Sequence, residues 1–164
     1  MIREHDADGT AALVAIGRLQ AAYGDAVTRR AWGEVVGLFE PEATVHIDTH
    51  ARDPFTLEGA GAVAGFVEHS LDQFAFFELT ILNTVAELAG DEEATGRVHL
   101  CEVRRHLDGT WTHAYGLYRD RYRRTGGAWR FAARRYSSLA RFSLTGIDQV
   151  ESFPLPPDDE QAAP

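Results

Sequence analysis

The side chains best suited to acid–base chemistry lie within one long β-type segment. Glu102 and Arg104 alternate with the apolar Leu100 and Val98, so these side chains share one face of the predicted strand. An apolar pocket favours the neutral form of a carboxyl group, which then suits general acid or base chemistry. The neighbouring guanidinium could instead bind an enolate or a carboxylate. The alternative to chemistry is an ordinary ion pair on a sheet.

The face of the sheet that would line a pocket depends on the hairpin after this strand. The dipeptide Asp108-Gly109 predicts a two-residue turn. Such a turn sets Arg104 beside His113 and His99 beside Tyr118. A slip of one residue would move every side chain to the opposite face. Two sets of lining residues therefore stay open: Glu102, Arg104, His113 and Tyr115, or else His99 and Tyr118.

Metal and nucleophile motifs are weak in this sequence. His46, Asp48 and His50 recur at every second position, but residues i and i+2 of a strand lie about 7 Å apart, which is wide for one ion. The single Cys101 excludes an internal disulfide and a multi-cysteine metal site. No phosphate loop or dinucleotide fingerprint is present. We expect neither a metal nor a cofactor.

Charge is divided unevenly along the 164 residues. The 25 acidic residues outnumber the 16 basic ones, which are all arginine, and the net charge is −9. This balance argues against a general nucleic-acid binder. Residues 97–141 nonetheless hold eleven arginines and three acids, which we interpret mainly as a solvated strand face. No apolar run reaches membrane-spanning length and the N-terminus is acidic, so we expect a cytoplasmic protein without a membrane segment.

The first half of the chain has a helical period. Apolar residues at spacings of three and four predict helices over residues 11–28, 31–39 and 59–71. A short strand is predicted over residues 43–49, followed by a loop over residues 50–58. The helical half therefore contains three helices that can cover one face of a sheet.

The second half changes to a period of two. Long strands are predicted over residues 76–88, 94–107, 111–124 and 128–139, joined by connections that contain glycine. Helices followed by strands indicate an α+β fold, with three N-terminal helices packed on a curved antiparallel sheet. The first long strand is apolar on both faces, so both faces need a cover. Because the helices cover one face, we predict a homodimer through the convex face.

The order of these elements resembles the SnoaL-like branch of the nuclear transport factor 2-like superfamily. Residues 19–32 and 38–45 are similar to the opening of that family, and residues 118–132 are similar to its ending. A helix led by Gly59 and an Asn83 before a Gly-Asp turn agree in order. The resemblance implies a cone-shaped α+β barrel over residues 10–142. Residues 1–9 are then an N-terminal extension, and residues 143–164 an acidic, proline-containing tail.

The resemblance also implies a pocket between the helices and the concave face of the sheet. Members that act through an Asp–His pair carry these residues where Thr28 and Leu79 stand here. Scytalone dehydratase-like enzymes have a tyrosine at the position of Thr49. Ketosteroid isomerase-like enzymes place a base near Ile47 and an oxyanion-binding tyrosine at the position of Tyr23.

Only the tyrosine at position 23 matches these catalytic patterns. The family comparison further places Arg104 and Tyr118 on one face, which requires a bulge near the predicted turn. The predicted catalytic residues are Tyr23, Glu102, Arg104 and Tyr118. The predicted ligand-binding residues are Val27, Thr28, Thr49, Phe66, Leu79, Ile81, Asn83, His99 and His113.

Two functions follow from these residues and from the resemblance. The first is a cofactor-independent lyase, isomerase or cyclase that acts by proton transfer on a small hydrophobic or polycyclic molecule. Tyr23 would donate a hydrogen bond, and Glu102 or a pocket histidine would act as base. The second is a non-catalytic small-molecule-binding protein, because both members of the Asp–His pair are replaced.

Overall fold

The computed structural model describes residues 7–144 of the chain, with three helices in its first half. These are α1 (Ala7–Thr28), α2 (Trp32–Gly37) and α3 (Ala60–Leu71). The second helix is shorter than predicted, because the chain turns at Leu38 and Phe39 already begins a strand. Most of the predicted N-terminal extension and tail lies outside the described residues.

Seven strands form one curved sheet. They are β1 (Phe39–Asp48), β2 (Phe55–Glu58), β3 (Phe74–Ile81), β4 (Val85–Leu88), β5 (Glu93–His106), β6 (Trp111–Thr125) and β7 (Ala128–Leu144). Their order is β2-β1-β7-β6-β5-β3, and β4 also pairs with β5. All pairs are antiparallel except β1 with β7, which is parallel. The structure is thus the predicted α+β fold, with three helices on a mostly antiparallel curved sheet.

Two segments differ from the predicted pattern. The predicted loop over residues 50–58 contains β2, which pairs with β1. The predicted strand over residues 76–88 is interrupted into β3 and β4, and both pair with β5. At the interruption, the Asn83 side-chain oxygen accepts a hydrogen bond from the His99 backbone N–H at 3.0 Å. The Asn83 side-chain oxygen thus takes the place of a backbone carbonyl in the hydrogen bonds to β5. The edge of the sheet therefore continues from β3 to β4.

The hairpin between β5 and β6 contains one more residue than the predicted two-residue turn. The backbone N–H of His106 donates to the carbonyl of Thr110 at 2.8 Å, and Gly109 has a φ of +87°. This geometry is a three-residue loop with a glycine in the left-handed region. Arg104 therefore lies opposite Thr112, and His99 lies opposite Leu117. The extra residue turns Glu102, Arg104 and Tyr118 to the same face.

The core lies between the helices and the inner face of the sheet. Ile16 of α1 and Val35 of α2 are fully buried against it, as are Leu100 and Phe131 from the strands. Helix α1 approaches β3 closely at Gly24, where an added Cβ would lie 3.2 Å from the Leu79 carbonyl oxygen. This contact sets the helix directly over the strand that carries Leu79.

The outer face of the sheet is partly apolar. Trp111 is buried there against Phe76, with ring centroids 5.6 Å apart. Tyr115 and Phe142 are 38% and 43% exposed and stack at 6.2 Å. This patch agrees with a sheet that has apolar residues on both faces. That a second copy of the chain covers this patch stays a prediction.

Candidate functional site

A cavity of about 790 Å³ lies between helices α1 and α3 and the inner face of the sheet. Aromatic and aliphatic side chains form its deep end, and polar side chains stand nearer its mouth. Eight of the residues predicted from the sequence line this cavity: Tyr23, Val27, Thr49, Phe66, Leu79, Glu102, Arg104 and Tyr118. The structure therefore brings all four predicted catalytic side chains to one cavity.

Three predicted ligand-binding residues next to this cavity do not line it. The Thr28 hydroxyl accepts a hydrogen bond from the Leu79 backbone N–H at 3.0 Å, which ties α1 to β3. Ile81 packs beside Gly24 of α1. Asn83 is exposed, and its side chain serves the strand ladder. These three residues connect elements around the cavity and do not line it, and their role in ligand binding stays a prediction.

The two predicted histidines lie on the opposite face of the sheet. His99 pairs with Leu117, and His113 stacks on Phe142 with ring centroids 5.0 Å apart. Neither lines the cavity. The reason is the three-residue loop of the hairpin, which divides each of the two predicted sets of lining residues between the two faces. Glu102 and Arg104 face inward together with Tyr118, while His99, His113 and Tyr115 face outward.

Glu102 and Arg104 form an ion pair on the cavity wall. The Arg104 guanidinium donates to one carboxylate oxygen of Glu102 through two of its nitrogens. The two side chains are 13% and 18% exposed, so water screens this pair only in part. The Arg104 guanidinium also lies 5.5 Å from the centre of the Phe74 ring. The pair keeps a carboxylate at the cavity wall with its charge compensated.

Two buried tyrosines stand deeper in the cavity. The rings of Tyr23 and Tyr118 meet edge to face, with centroids 6.1 Å apart. Burial raises the pKa of Tyr23, and the nearby Arg134 charge and a hydrogen bond with Tyr118 offset part of that rise. Burial raises the pKa of Tyr118 well above its usual range, and Tyr23 adds to the rise. Both phenols are therefore neutral hydrogen-bond donors at neutral pH.

The most buried charge in the cavity is Arg134, which the sequence analysis did not identify. Its guanidinium carbon lies 3.7 Å from the centre of the Tyr118 ring, 4.5 Å from that of Tyr23 and 4.2 Å from that of Phe131. Such contacts attract a cation to the ring faces. Arg134 thus lies among the rings of the deep end, with its side chain only 1% exposed.

A buried network balances the charge of Arg134. Its Nε and one terminal nitrogen donate to the two oxygens of Asp120, both at 2.8 Å. The same terminal nitrogen also donates to the Gln20 side-chain oxygen at 3.1 Å, and the Gln20 amide donates to Asp120 at 2.5 Å and to Tyr122 at 2.7 Å. Burial acts to lower the pKa of Arg134, but the Asp120 carboxylate outweighs it, so the net pKa lies above the usual range. The guanidinium is permanently charged.

One nitrogen of this buried cation has no protein partner. Among residues 7–144, the Nη1 atom of Arg134 is buried and makes no hydrogen bond. Arg134 is also one of the residues that line the cavity. A buried N–H without an acceptor is costly, and structures seldom keep one without a reason. This donor suits an acceptor oxygen or an anion supplied by a ligand.

The sequence analysis missed Arg134 because of a β-bulge. Counting by twos from the buried Phe131 makes Ala133 an inward residue and Arg134 an outward one. In the structure, Tyr122 pairs with Phe131 but Arg121 pairs with Ala133, so one extra residue of β7 lies between them. The extra residue turns Arg134 inward. Asp120 was a usable signal, because it shares a strand face with Tyr118 and Tyr122 and needs a cation there.

Within the described part of the chain, no group of three or more His, Cys, Asp and Glu side chains is placed to hold a metal ion. His46 and Asp48 face away from the cavity, whereas Ile47 and Thr49 line it. Over the same residues, no helix has the length and apolar character needed to cross a membrane.

Three helices on a curved sheet, with a cavity between α1, α3 and the sheet, form an α+β fold of the nuclear transport factor 2-like kind. The SnoaL-like domain family matches residues 10–135. The chain belongs to this family. No curated protein matches the chain closely enough to add a more specific relationship.

Solved structures with the same fold include two dehydrochlorinases and a scytalone dehydratase-like protein. A type 2 hexachlorocyclohexane dehydrochlorinase (LinA) superimposes with a TM-score of 0.78 at 16% identity, over 90% of this chain and 98% of that one. The LinA type 3 enzyme from Novosphingobium barchaimii gives 0.77 at 17% identity, over 90% and 100%. A scytalone dehydratase-like protein from Novosphingobium aromaticivorans gives 0.74 at 19% identity, over 88% and 98%. At these identities the likeness concerns the fold.

Proposed function

We propose that the protein binds a small, mainly apolar organic molecule in this cavity and catalyses proton transfer on it without a cofactor, as a lyase, isomerase or cyclase. The observation that carries this proposal is Arg134, a buried cation that lines the cavity and whose Nη1 has no hydrogen-bond partner among residues 7–144. Next to it stand the neutral phenols of Tyr23 and Tyr118. Donors fixed in advance, away from water, are the usual means of stabilising developing negative charge.

The proposed reaction divides the work between two parts of the cavity. Glu102 takes a proton from a carbon atom of the ligand, and the electron pair left behind moves to a carbonyl oxygen or expels a leaving anion. Tyr23, Tyr118 and Arg134 donate hydrogen bonds to that oxygen or anion. The proton is returned at another carbon in an isomerisation, and it leaves with the anion in an elimination. Arg104 holds the Glu102 carboxylate in position before the ligand enters.

The comparisons support this proposal at the level of reaction class. Dehydrochlorination, which names two of the structural neighbours, removes a proton and a chloride from neighbouring carbons. A buried guanidinium donor suits a departing halide as well as an enolate oxygen. The cavity volume of about 790 Å³ is large enough for a compound of one to three rings.

The test uses two probes that report the two reaction types. The first is 2-tetralone in heavy water, where NMR measures exchange of the hydrogen atoms next to the carbonyl. The second is hexachlorocyclohexane, where released chloride is measured. We expect turnover of at least one probe, and Glu102→Gln should lower that rate by about 10²–10⁴-fold. Glu78→Gln is the matched control, because Glu78 is exposed on the outer face of β3.

Tyr118→Phe tests the donor side of the proposal. It removes one phenol and keeps the ring that packs on Arg134. We expect slower turnover with little change in folding stability. Full activity in both Glu102→Gln and Tyr118→Phe would refute the mechanism, whatever the substrate.

A second function is a binding protein without catalysis. Two observations favour it: the Thr28 hydroxyl and the Leu79 backbone bond to each other where related enzymes carry an Asp–His pair, and Glu102 is held by Arg104. A binding protein would take up 2-tetralone saturably and release it unexchanged. Native mass spectrometry of the purified protein would detect a retained ligand, and the same spectrum would test the predicted homodimer. The cytoplasmic location stays a prediction from the sequence.

A further inference from the structure

A row of arginines crosses the outer face of the sheet, opposite the face that carries Glu102 and Tyr118. Arg97 of β5 lies opposite Arg119 of β6, and Arg119 lies opposite Arg135 of β7. Arg121 follows two residues after Arg119 and points to the same face. All four side chains are exposed. We call these four residues the arginine row, and they line a second cavity of about 610 Å³.

The row carries charge that the described residues do not neutralise. Adjacent strands lie about 4.8 Å apart, and like charges placed directly opposite each other destabilise a sheet. Within residues 7–144, none of the four guanidiniums forms an ion pair, whereas Arg123 and Arg134 of the same strands do. Glu87 stands on the wall of this cavity beyond ion-pair distance, and the Asp120 carboxylate is occupied by Arg134. The row therefore offers a site for an anion from elsewhere.

The chain contains a segment with the complementary charge. Residues 145–164 directly follow β7 and hold five acidic residues and no basic one. Three of the acids are consecutive, at Asp158, Asp159 and Glu160. We call residues 145–164 the acidic segment. Its charge is opposite in sign to that of the arginine row and similar in number.

The acidic segment is long enough to reach the row. Arg135 lies nine residues before Leu144 on β7, which is roughly 30 Å along the strand. The fourteen residues from Leu144 to Asp158 span up to roughly 46 Å when extended. A chain that turns back at Gly146 can therefore bring residues 158–160 over the row, because glycine is tolerant of tight turns.

We propose that the acidic segment binds across the arginine row of its own chain, with the carboxylates of residues 158–160 on the guanidiniums of Arg97, Arg119 and Arg135. A tethered partner has a high effective concentration, which an unattached anion lacks. An outside polyanion must also approach a chain whose net charge is −9. Both arguments favour the segment over a nucleic acid or a free oligoanion. The contact would cover the part of the outer face that carries the arginine row.

The absence of lysine from this chain allows a direct test on the full-length protein. Arg119→Lys keeps the charge of the row and adds the only lysine side chain. A carbodiimide then joins that amine to any carboxylate in contact with it, through an amide bond with loss of water. Peptide mass spectrometry identifies the joined residues. Arg124→Lys is the matched control, because Arg124 lies on the same strand, is exposed and is not part of the row.

We expect Arg119→Lys to cross-link to the acidic segment within one chain, and Arg124→Lys to give no such product. Raising the salt concentration to about 1 M should reduce the yield several-fold, because the screening length falls to about 3 Å. Cross-linking to Glu87 alone, or none with either Arg119→Lys or Arg135→Lys, would overturn the proposal. A covalent dimer joined through the segment would overturn binding within one chain.

Discussion

The guanidinium of Arg134 has a balanced side, whose nitrogens bond to other side chains, and an unsatisfied side, whose nitrogen has no partner among the described residues. The two sides have different consequences. On one side, Asp120 and Gln20 accept its hydrogen bonds inside the protein. On the other, its Nη1 is buried at the cavity without a partner among the described residues. The balanced side bears on folding and the other on ligand binding. A substitution that affects only one side therefore separates stability from function.

The first prediction concerns the balanced side of Arg134. Asp120→Ala leaves a buried cation without its carboxylate, and we expect the free energy of unfolding to fall by about 3–5 kcal/mol. Denaturant unfolding measures this change. Glu42→Ala is the control, because it removes the partner of the exposed Arg123, where a loss of at most about 1 kcal/mol is expected. Equal losses in the two variants would show that the buried pair has no special weight.

Individual site residues could be predicted only where a strand keeps strict alternation. Glu102 and Arg104 lie on a regular part of β5, and both line the cavity as expected. Tyr23 was recognised through its family position and also lines it. Arg134 was missed, and His99 and His113 were misplaced, because a bulge and a longer loop each shift the facing by one residue. No residue type in the sequence marks such a shift unambiguously.

At the scale of elements, the loop between β5 and β6 decides which side chains share the cavity. Its three residues set Arg104 opposite Thr112, and so place Tyr118 on the face of Glu102. A two-residue loop would have separated Glu102 from Tyr118. The order and type of the long elements were predictable from their periods. The interruption between β3 and β4 was not, because Asn83 continues the ladder with its side chain.

The second prediction tests that loop. Gly109 has a φ of +87°, a conformation that other residues rarely adopt. We expect Gly109→Ala to lower the free energy of unfolding by about 1–2 kcal/mol, measured by denaturant unfolding. Gly33→Ala is the control: Gly33 lies within α2 with open space around it, and alanine there should stabilise by up to about 1 kcal/mol. A neutral Gly109→Ala would mean that the loop does not hold the hairpin in this register.

At the scale of the whole molecule, charge is separated between the two faces of the sheet. The inner face carries two compensated pairs, Asp120 with Arg134 and Glu102 with Arg104, whereas the outer face carries the arginine row without a described partner. The charge count of the sequence showed that arginines concentrate in residues 97–141. Which face each arginine takes required the structure, because strand facing depends on local irregularities. The same block of sequence thus supplies both a cavity cation and a surface row.

The third prediction concerns the whole molecule in alkali. The chain has five tyrosines and no lysine, so tyrosine dominates its titration above pH ~10. Burial raises the pKa of Tyr136 to about 12, and burial also raises the pKa of Tyr23, Tyr118 and Tyr122. The folded protein therefore keeps protons that the unfolded chain has already released. Their contribution to stability is complete below pH ~10 and is lost as the pH rises through the folded pKa values.

We accordingly expect the free energy of unfolding to fall steeply above pH ~10, with each buried tyrosine adding up to about 1.4 kcal/mol per pH unit. Denaturant unfolding across this range measures the slope. Tyr136→Phe should make the fall shallower. Tyr115→Phe, which alters an exposed tyrosine of the outer face, is the control and should change the slope less. Identical slopes in wild type and Tyr136→Phe would mean that this phenol is not held neutral by burial, and would weaken the assignment of neutral donors to the neighbouring cavity.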